Sequence, residues 1–141
     1  AQATHPKFYF FDPGVKRALS RSLDVVLKPK TYAFGEAFEH WVILEAFRLN
    51  HILMKDYQLS YFRTRDTEID LVLSKPSDVV LIEIKSSDAV DSMKVKRFSE
   101  LTKDFEHSRA YWLSLDPTPQ KIGNVICLPW MEGLKEIYNI S

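Results

Sequence analysis

Strands and helices interleave along this chain in an order that predicts an α/β domain, a mixed sheet of about four to five strands flanked by helices. Three observations predict it. Glu68 to Leu73 alternates polar and apolar residues and Val79 to Ile84 is rich in β-branched ones. Ser74-Lys75-Pro76-Ser77-Asp78 carries turn chemistry between them, so the pair reads as a β-hairpin. Phe34, Phe38, Trp41, Val42, Leu49 and Ile52 recur at helical spacing, which predicts a helix over 33–53 with an apolar stripe for a sheet. Asp91 to His107 has the same periodicity through Val95, Phe98, Leu101, Thr102 and Phe105, and a strand from Ala110 to Leu115 follows it.

Taken in order, Ala1 to Lys7 reads as a disordered or appended lead, and residues 8–141 as a single domain. Phe8 to Phe11 is an aromatic strand candidate. Asp12 followed by Pro13 is a helix start running into Val15–Leu19, and Ser20 to Thr31, broken by Pro29, is a helix end and loop. Tyr57 to Arg63 is the strand before the hairpin, with Arg63-Thr64-Arg65-Asp66 as a polar turn into Glu68. Ser86, Ser87 and Asp88 end the second hairpin strand. After 110–115, Asp116-Pro117-Thr118-Pro119 forms a break, Val125 to Leu128 a further strand, and Pro129-Trp130 opens a last short helix to Tyr138.

Composition excludes several function classes. The 141 residues suit one core, and the hydrophobic and charged fractions, 45% and 27%, are those of an ordinary globular protein. With 19 basic and 19 acidic residues the formal net charge is zero, so any nucleic-acid contact must come from a local patch. The single cysteine, Cys127, has no partner for an internal disulfide and lies in an apolar run, as a buried structural thiol does. No apolar run reaches the length of a membrane span and AQATHPK has no signal-peptide core, so a cytoplasmic location is expected. No phosphate-binding G-x-x-x-x-G-K-[ST] loop is present, and His5, His40, His51 and His107 lack zinc-ligand spacing.

The chemistry concentrates on the hairpin. Alternation puts Leu81, Glu83 and Lys85 on one strand face and Val80, Ile82 and Ile84 on the other. If Ile69, Leu71 and Leu73 make the apolar face of the first strand, Asp70 turns to the opposite side, where pairing brings it beside Glu83. Two neighbouring carboxylates repel unless a cation or proton lies between them, and magnesium takes one or two carboxylates while keeping several waters. The plainer alternative is a solvated Glu83–Lys85 ion pair of ~0–1 kcal/mol. It is opposed by the near-continuous hydrophobicity of 79–84, which predicts burial on both faces. On the 33–53 helix, projection at helical pitch places Glu45 within the apolar stripe, Glu39 at its edge and Glu36 outside it. Glu45 thus either faces the cluster or pairs with an arginine at the rim. Lys94, Lys96, Arg97 and Lys103 enrich the 91–107 helix in positive charge, by default a solvated face.

The order helix with Glu, strand, strand with Asp, strand with Glu-x-Lys, helix, strand (α-β-β-β-α-β) resembles the core of the restriction-endonuclease-like, PD-(D/E)xK nuclease superfamily, with Ile69 where the name has proline. Further matches are Tyr9-Phe10-Phe11-Asp12-Pro13-Gly14 with Arg17-Ala18-Leu19, then Gly35, Phe38-Glu39, Val42 and Glu45. With Tyr61-Phe62-Arg63, Glu68-Ile69-Asp70 and Glu83-Ile84-Lys85-Ser86, they resemble the carboxy-terminal domain of unknown function found behind a AAA-type ATPase module in prokaryotic ATPases. The resemblance implies a DNA phosphodiesterase that uses Mg²⁺ or Mn²⁺, attached to an ATPase module. It implies Asp70 and Glu83 as metal ligands, Lys85 as the catalytic lysine and Glu39 as the helix-borne acid, with Glu45 the competing choice from the projection. Arg63, Arg65, Lys94, Lys96 and Arg97 are the candidate nucleic-acid contacts. A catalytically inactive DNA- or protein-binding module with the same fold is the alternative expectation.

Overall fold

The computed structural model describes residues 7–11, 17 and 30–140. The helix start expected at Asp12–Pro13 lies outside the described residues, as does the helix end and loop expected over 20–31 apart from Lys30 and Thr31. Among those described, the elements run β1 (Lys7–Phe10), α1 (Tyr32–Ile52), β2 (Gln58–Arg63), β3 (Glu68–Lys75), β4 (Asp78–Ile84), α2 (Ser92–Thr102), β5 (Ser108–Ser114), β6 (Gln120–Ile122), β7 (Val125–Pro129) and α3 (Trp130–Ile137). The sheet is mixed, in the order β1-β2-β3-β4-β5-β7-β6. β1 to β4 pair antiparallel, β4–β5 and β5–β7 parallel, and β6 antiparallel on β7. Parallel neighbours need a crossover, and α2 supplies the one between β4 and β5.

The expected α/β class is present, and among the described residues the sheet has seven strands rather than about four to five. β6 was missed because its three residues, Gln-Lys-Ile, carry no strand pattern and it pairs only along β7. The hairpin is tighter than expected. Lys75 and Asp78 already pair, so Pro76-Ser77 alone make the turn. The second long helix ends at Thr102 rather than His107, because Lys103, Asp104 and Phe105 donate to carbonyls three residues back instead of four. At its start Asp91 is the cap, its carboxylate accepting the Met93 and Lys94 N–H groups.

Helices cover both sheet faces. α1 and α3 bring Phe38, Val42, Ile43, Ala46, Leu134 and Ile137 against Leu59, Leu71, Leu73, Val80, Ile82 and Leu113. On the other face α2 packs Val95 and Phe98 against Phe62, Val72, Leu81, Trp112 and Cys127. Cys127 is fully buried there, and burial pushes its thiol up to about 11. No helix among the described residues is long and apolar enough to cross a membrane.

At Gly133 of α3 an added Cβ would clash with Cδ2 of the fully buried Leu113 on β5. Alanine is the better helix former, but overpacking a closed core costs ~1–3 kcal/mol. Gly133→Ala is therefore expected to lower the melting temperature by roughly 2–8 °C, measured by circular dichroism. An unchanged or raised value would mean that α3 is free to lift from β5.

Candidate active site

β3 and β4 pair regularly from Lys75↔Asp78 to Leu71↔Ile82. Beyond that rung two side chains take over the ladder. Oε1 of Glu83 accepts the Asp70 backbone N–H at 3.0 Å, and Oδ2 of Asp70 accepts the Ile84 backbone N–H at 2.9 Å. The two carboxylates thus cap backbone N–H groups just past the last rung of the β3–β4 pairing. Both residues are buried.

The other side of β3 shows why the strand changes phase here. Ser60 pairs with Val72 but Phe62 pairs with Ile69, so β3 carries one residue more than β2 between these rungs, a bulge opposite Tyr61. The expectation that Ile69, Leu71 and Leu73 share a face fails at Ile69. Leu71 and Leu73 join the core under α1, whereas Ile69 joins Val72 in the core under α2. Asp70, within the bulge, lines a cleft with Glu39, His40 and Ile43 of α1. It keeps its hydrogen-bonded contact with Glu83 on β4.

β4 is regular, so its residues fall as alternation predicts. Glu83 pairs with Trp112 on β5, and Lys85, one residue past the strand, is held by its N–H to the Leu113 carbonyl at 2.9 Å. Lys85 Nζ lies 3.6 Å from Glu83 Oε2 and 6.0 Å from the centre of the Trp112 ring.

The choice of helix glutamate resolves against the projection. Glu45 forms an ion pair with Arg48 one turn on, at 2.9 Å, at the protein's rim and outside the cluster. The buried stripe of α1 is Ala37, Phe38, Val42, Ile43 and Ala46. Trp41 and Ile52, which pulled the projected stripe toward Glu45, are 46% and 57% exposed. Glu39 adjoins the true stripe and faces Asp70 and Lys85. Glu36 is exposed.

Burial and crowding shape the charges. Burial first, and then the Asp70 carboxylate, push Glu39 up to about 8, against the pull of Lys85. Asp70 is raised by burial, which the Ile84 N–H and Lys85 only partly offset. Glu83 is raised well above the usual carboxylate range by burial and by Asp70. Burial works against charge on Lys85, yet Glu83, Asp70 and Glu39 together hold its ammonium above the ordinary lysine value. Three carboxylates facing one ammonium leave an excess of negative charge that a cation or protons must balance.

Among the described residues no three acidic, histidine or cysteine side chains converge as a ready metal-binding group. The donor chemistry that fits a divalent cation is the pair Asp70 and Glu83. Asp70 Oδ1 and Glu83 Oε2 are the oxygens not used on these backbone N–H groups, and magnesium usually takes one or two carboxylates with water completing its shell. Glu39 faces the pair electrostatically without closing a three-carboxylate set.

Three clefts meet at this point. The largest, about 820 Å³, runs between the start of α1 and residues 84–89, with Glu39 and Lys85 in its wall. A second, about 280 Å³, holds Glu83, Lys85, Glu68, Lys94, Arg97 and Trp112. The third, about 210 Å³, holds Glu39, Asp70, Phe11, Tyr61, Arg63 and Glu68. Of the five basic candidates, Lys94, Arg97 and Arg63 are thus brought to the site. Arg65 and Lys96 are exposed and line none of the three. Sequence reasoning missed Trp112 as a wall of the site, although its place beside Glu83 follows once β4 and β5 are in parallel register.

The family model described as a domain of unknown function (DUF4143) matches residues 34–132, a span that holds every residue of the cluster. No curated protein matches the chain.

The raised carboxyls carry a pH signature. A group protonating at 4.5 when unfolded and about 8 when folded stabilises the fold fully below the lower value and loses that stabilisation as pH rises through the upper one. Asp70 and Glu83 act in the same sense. The melting temperature of the metal-free domain is therefore expected to fall from pH 5 to pH 9, and Glu39→Gln to flatten that fall. A melting temperature that rises across this interval in both proteins would contradict the charge assignment.

Proposed function

The chain belongs to the DUF4143 family, a domain of unknown function, and from that premise we propose that it is a metal-dependent phosphodiesterase domain of the PD-(D/E)xK nuclease kind, acting on DNA. The observation that carries this reading is the pair of buried carboxylates, Asp70 and Glu83, linked across the parting ends of β3 and β4, with Lys85 Nζ 3.6 Å from Glu83. The resemblance of the surrounding motifs further supports a place behind a AAA-type ATPase module in a longer chain.

Asp70 and Glu83 would hold Mg²⁺ or Mn²⁺, and such an ion, when bound, polarises a phosphodiester and brings the acidity of bound water toward neutral pH. Lys85 presents its ammonium to the same point and offsets charge that develops on the phosphate oxygens. Glu83 first, and then Asp70, hold it protonated for that role against the effect of burial. Burial and the Asp70 carboxylate push Glu39 up to about 8, which favours its holding a proton that it can share with a group entering the large cleft. Trp112, itself buried, lines the second cleft together with Glu83 and Lys85.

A second reading, a binding module that kept the fold without catalysis, is favoured by the zero net charge and by the lack of a three-carboxylate group among the described residues. Incubation with single-stranded, duplex and branched DNA plus Mg²⁺ or Mn²⁺ decides between them. The nuclease reading expects cleavage that Lys85→Ala lowers by roughly a hundredfold or more, the scale seen when a charge-stabilising donor is removed. Cleavage of no substrate with either ion would select the binding module, and equal cleavage by the Lys85→Ala protein would identify a contaminant.

A further inference from the structure

The bulge that aims Asp70 also fixes an aromatic platform beside it. Tyr61 is the β2 residue opposite the extra residue of β3, between the rungs Ser60↔Val72 and Phe62↔Ile69, so its ring lies next to the acid. Tyr9 of the edge strand stacks on it, with ring centres 5.0 Å apart and planes at 13°, and Phe11 tilts against it at 5.4 Å. The Arg63 guanidinium lies 5.3 Å from the Tyr61 ring centre. Glu68, 3.4 Å away, pairs with Arg63, but both side chains remain more than half exposed.

We propose that this Tyr9–Tyr61–Arg63 surface receives the bases of unpaired DNA, so that a single-stranded segment lies with a base on the platform and its backbone across the carboxylate pair. The proposal deepens the nuclease reading by naming its substrate class, and it rests on that reading for where the cut falls. Aromatic rings and arginine planes take any base by its face, and in a duplex those faces are already stacked between neighbours. The cleft holding Tyr61, Arg63 and Asp70 shares Glu68 with the cleft holding Lys94, Arg97 and Lys85. A strand crossing that shared wall meets aromatic surface on one side and three cationic groups on the other. A local pairing of rings and charge of this kind is what a chain with no net charge needs to hold a polyanion.

The test separates binding from cutting. Fluorescence anisotropy of labelled thymidine oligomers and of a duplex, in EDTA with the 141-residue chain, reads binding alone. The single strand is expected to bind at least about tenfold more tightly than the duplex. Tyr61→Ala should lose roughly tenfold or more for the single strand only, the worth of one stacked base, while Tyr61→Phe retains it. Because Tyr61 is half-buried, Tyr9→Ala at the exposed edge serves as a second variant with the same expected direction, and thermal melts confirm folding of each. Equal affinity for single strand and duplex, no measurable binding, or unchanged single-strand affinity in folded Tyr61→Ala and Tyr9→Ala would each overturn the proposal. Metal-dependent cleavage of duplex without single-strand preference overturns it while leaving the nuclease reading standing. Ring-dependent single-strand binding without cleavage supports the platform and removes the nuclease reading instead.

Discussion

Two buried carboxylates, Glu83 accepting the Asp70 N–H and Asp70 accepting the Ile84 N–H, hold the site together, and most of its other features follow from that arrangement. Just past the last rung between β3 and β4, the N–H groups of Asp70 and Ile84 need acceptors inside the protein, and an orphaned buried donor costs about 1–3 kcal/mol. Glu83 and Asp70 satisfy them through side-chain bonds of 3.0 and 2.9 Å. The arrangement fixes both side chains and brings two negative groups together in a buried place. Lys85, set by backbone pairing to Leu113, balances only part of that charge, and Glu39 from α1 adds to it.

The opposite end of the same strands is where the fold is tied. Asp78 at the start of β4 accepts two bonds from the Arg109 guanidinium on β5 and the hydroxyl of Tyr57 before β2. Asn50 near the end of α1 pairs with both backbone groups of Tyr57, and the Tyr138 hydroxyl donates to the Ala46 carbonyl of α1. The helix that carries Glu39 is thus anchored through its second half, away from the carboxylates. A charge cluster that resists its own assembly needs such a rigid frame to hold its geometry.

Which of these features could be seen in the residues depended on how regular the backbone is. Glu83 and Lys85 follow strict alternation because β4 has no irregularity, so their neighbourhood was legible from spacing. Asp70 was legible as an acid brought to Glu83, but Ile69 was assigned to the wrong face, since a bulge without glycine leaves no mark in the sequence. Glu45 was favoured by a projection that counted Trp41 and Ile52 as core. Motif resemblance selected Glu39, the residue that the packing of α1 turns toward Asp70. Lys96 and Arg97 are adjacent in sequence, and only the placement of α2 on the sheet shows that Arg97 reaches the cleft.

If Asp70 and Glu83 hold a divalent cation, as proposed, thermal unfolding with and without Mn²⁺ will report it. An ion that binds only the folded chain adds about 2.7 kcal/mol at a hundredfold excess over its dissociation constant, which for a chain of this size raises the melting temperature by several degrees. That rise is expected in the wild type. It should be lost in Asp70→Asn and Glu83→Gln, whose amide oxygens can still accept the Ile84 and Asp70 N–H groups and whose metal-free forms should melt no lower than wild type. Metal-free variants that both melt well below wild type, together with a wild type indifferent to Mn²⁺, would make the carboxylates structural partners and contradict the proposal.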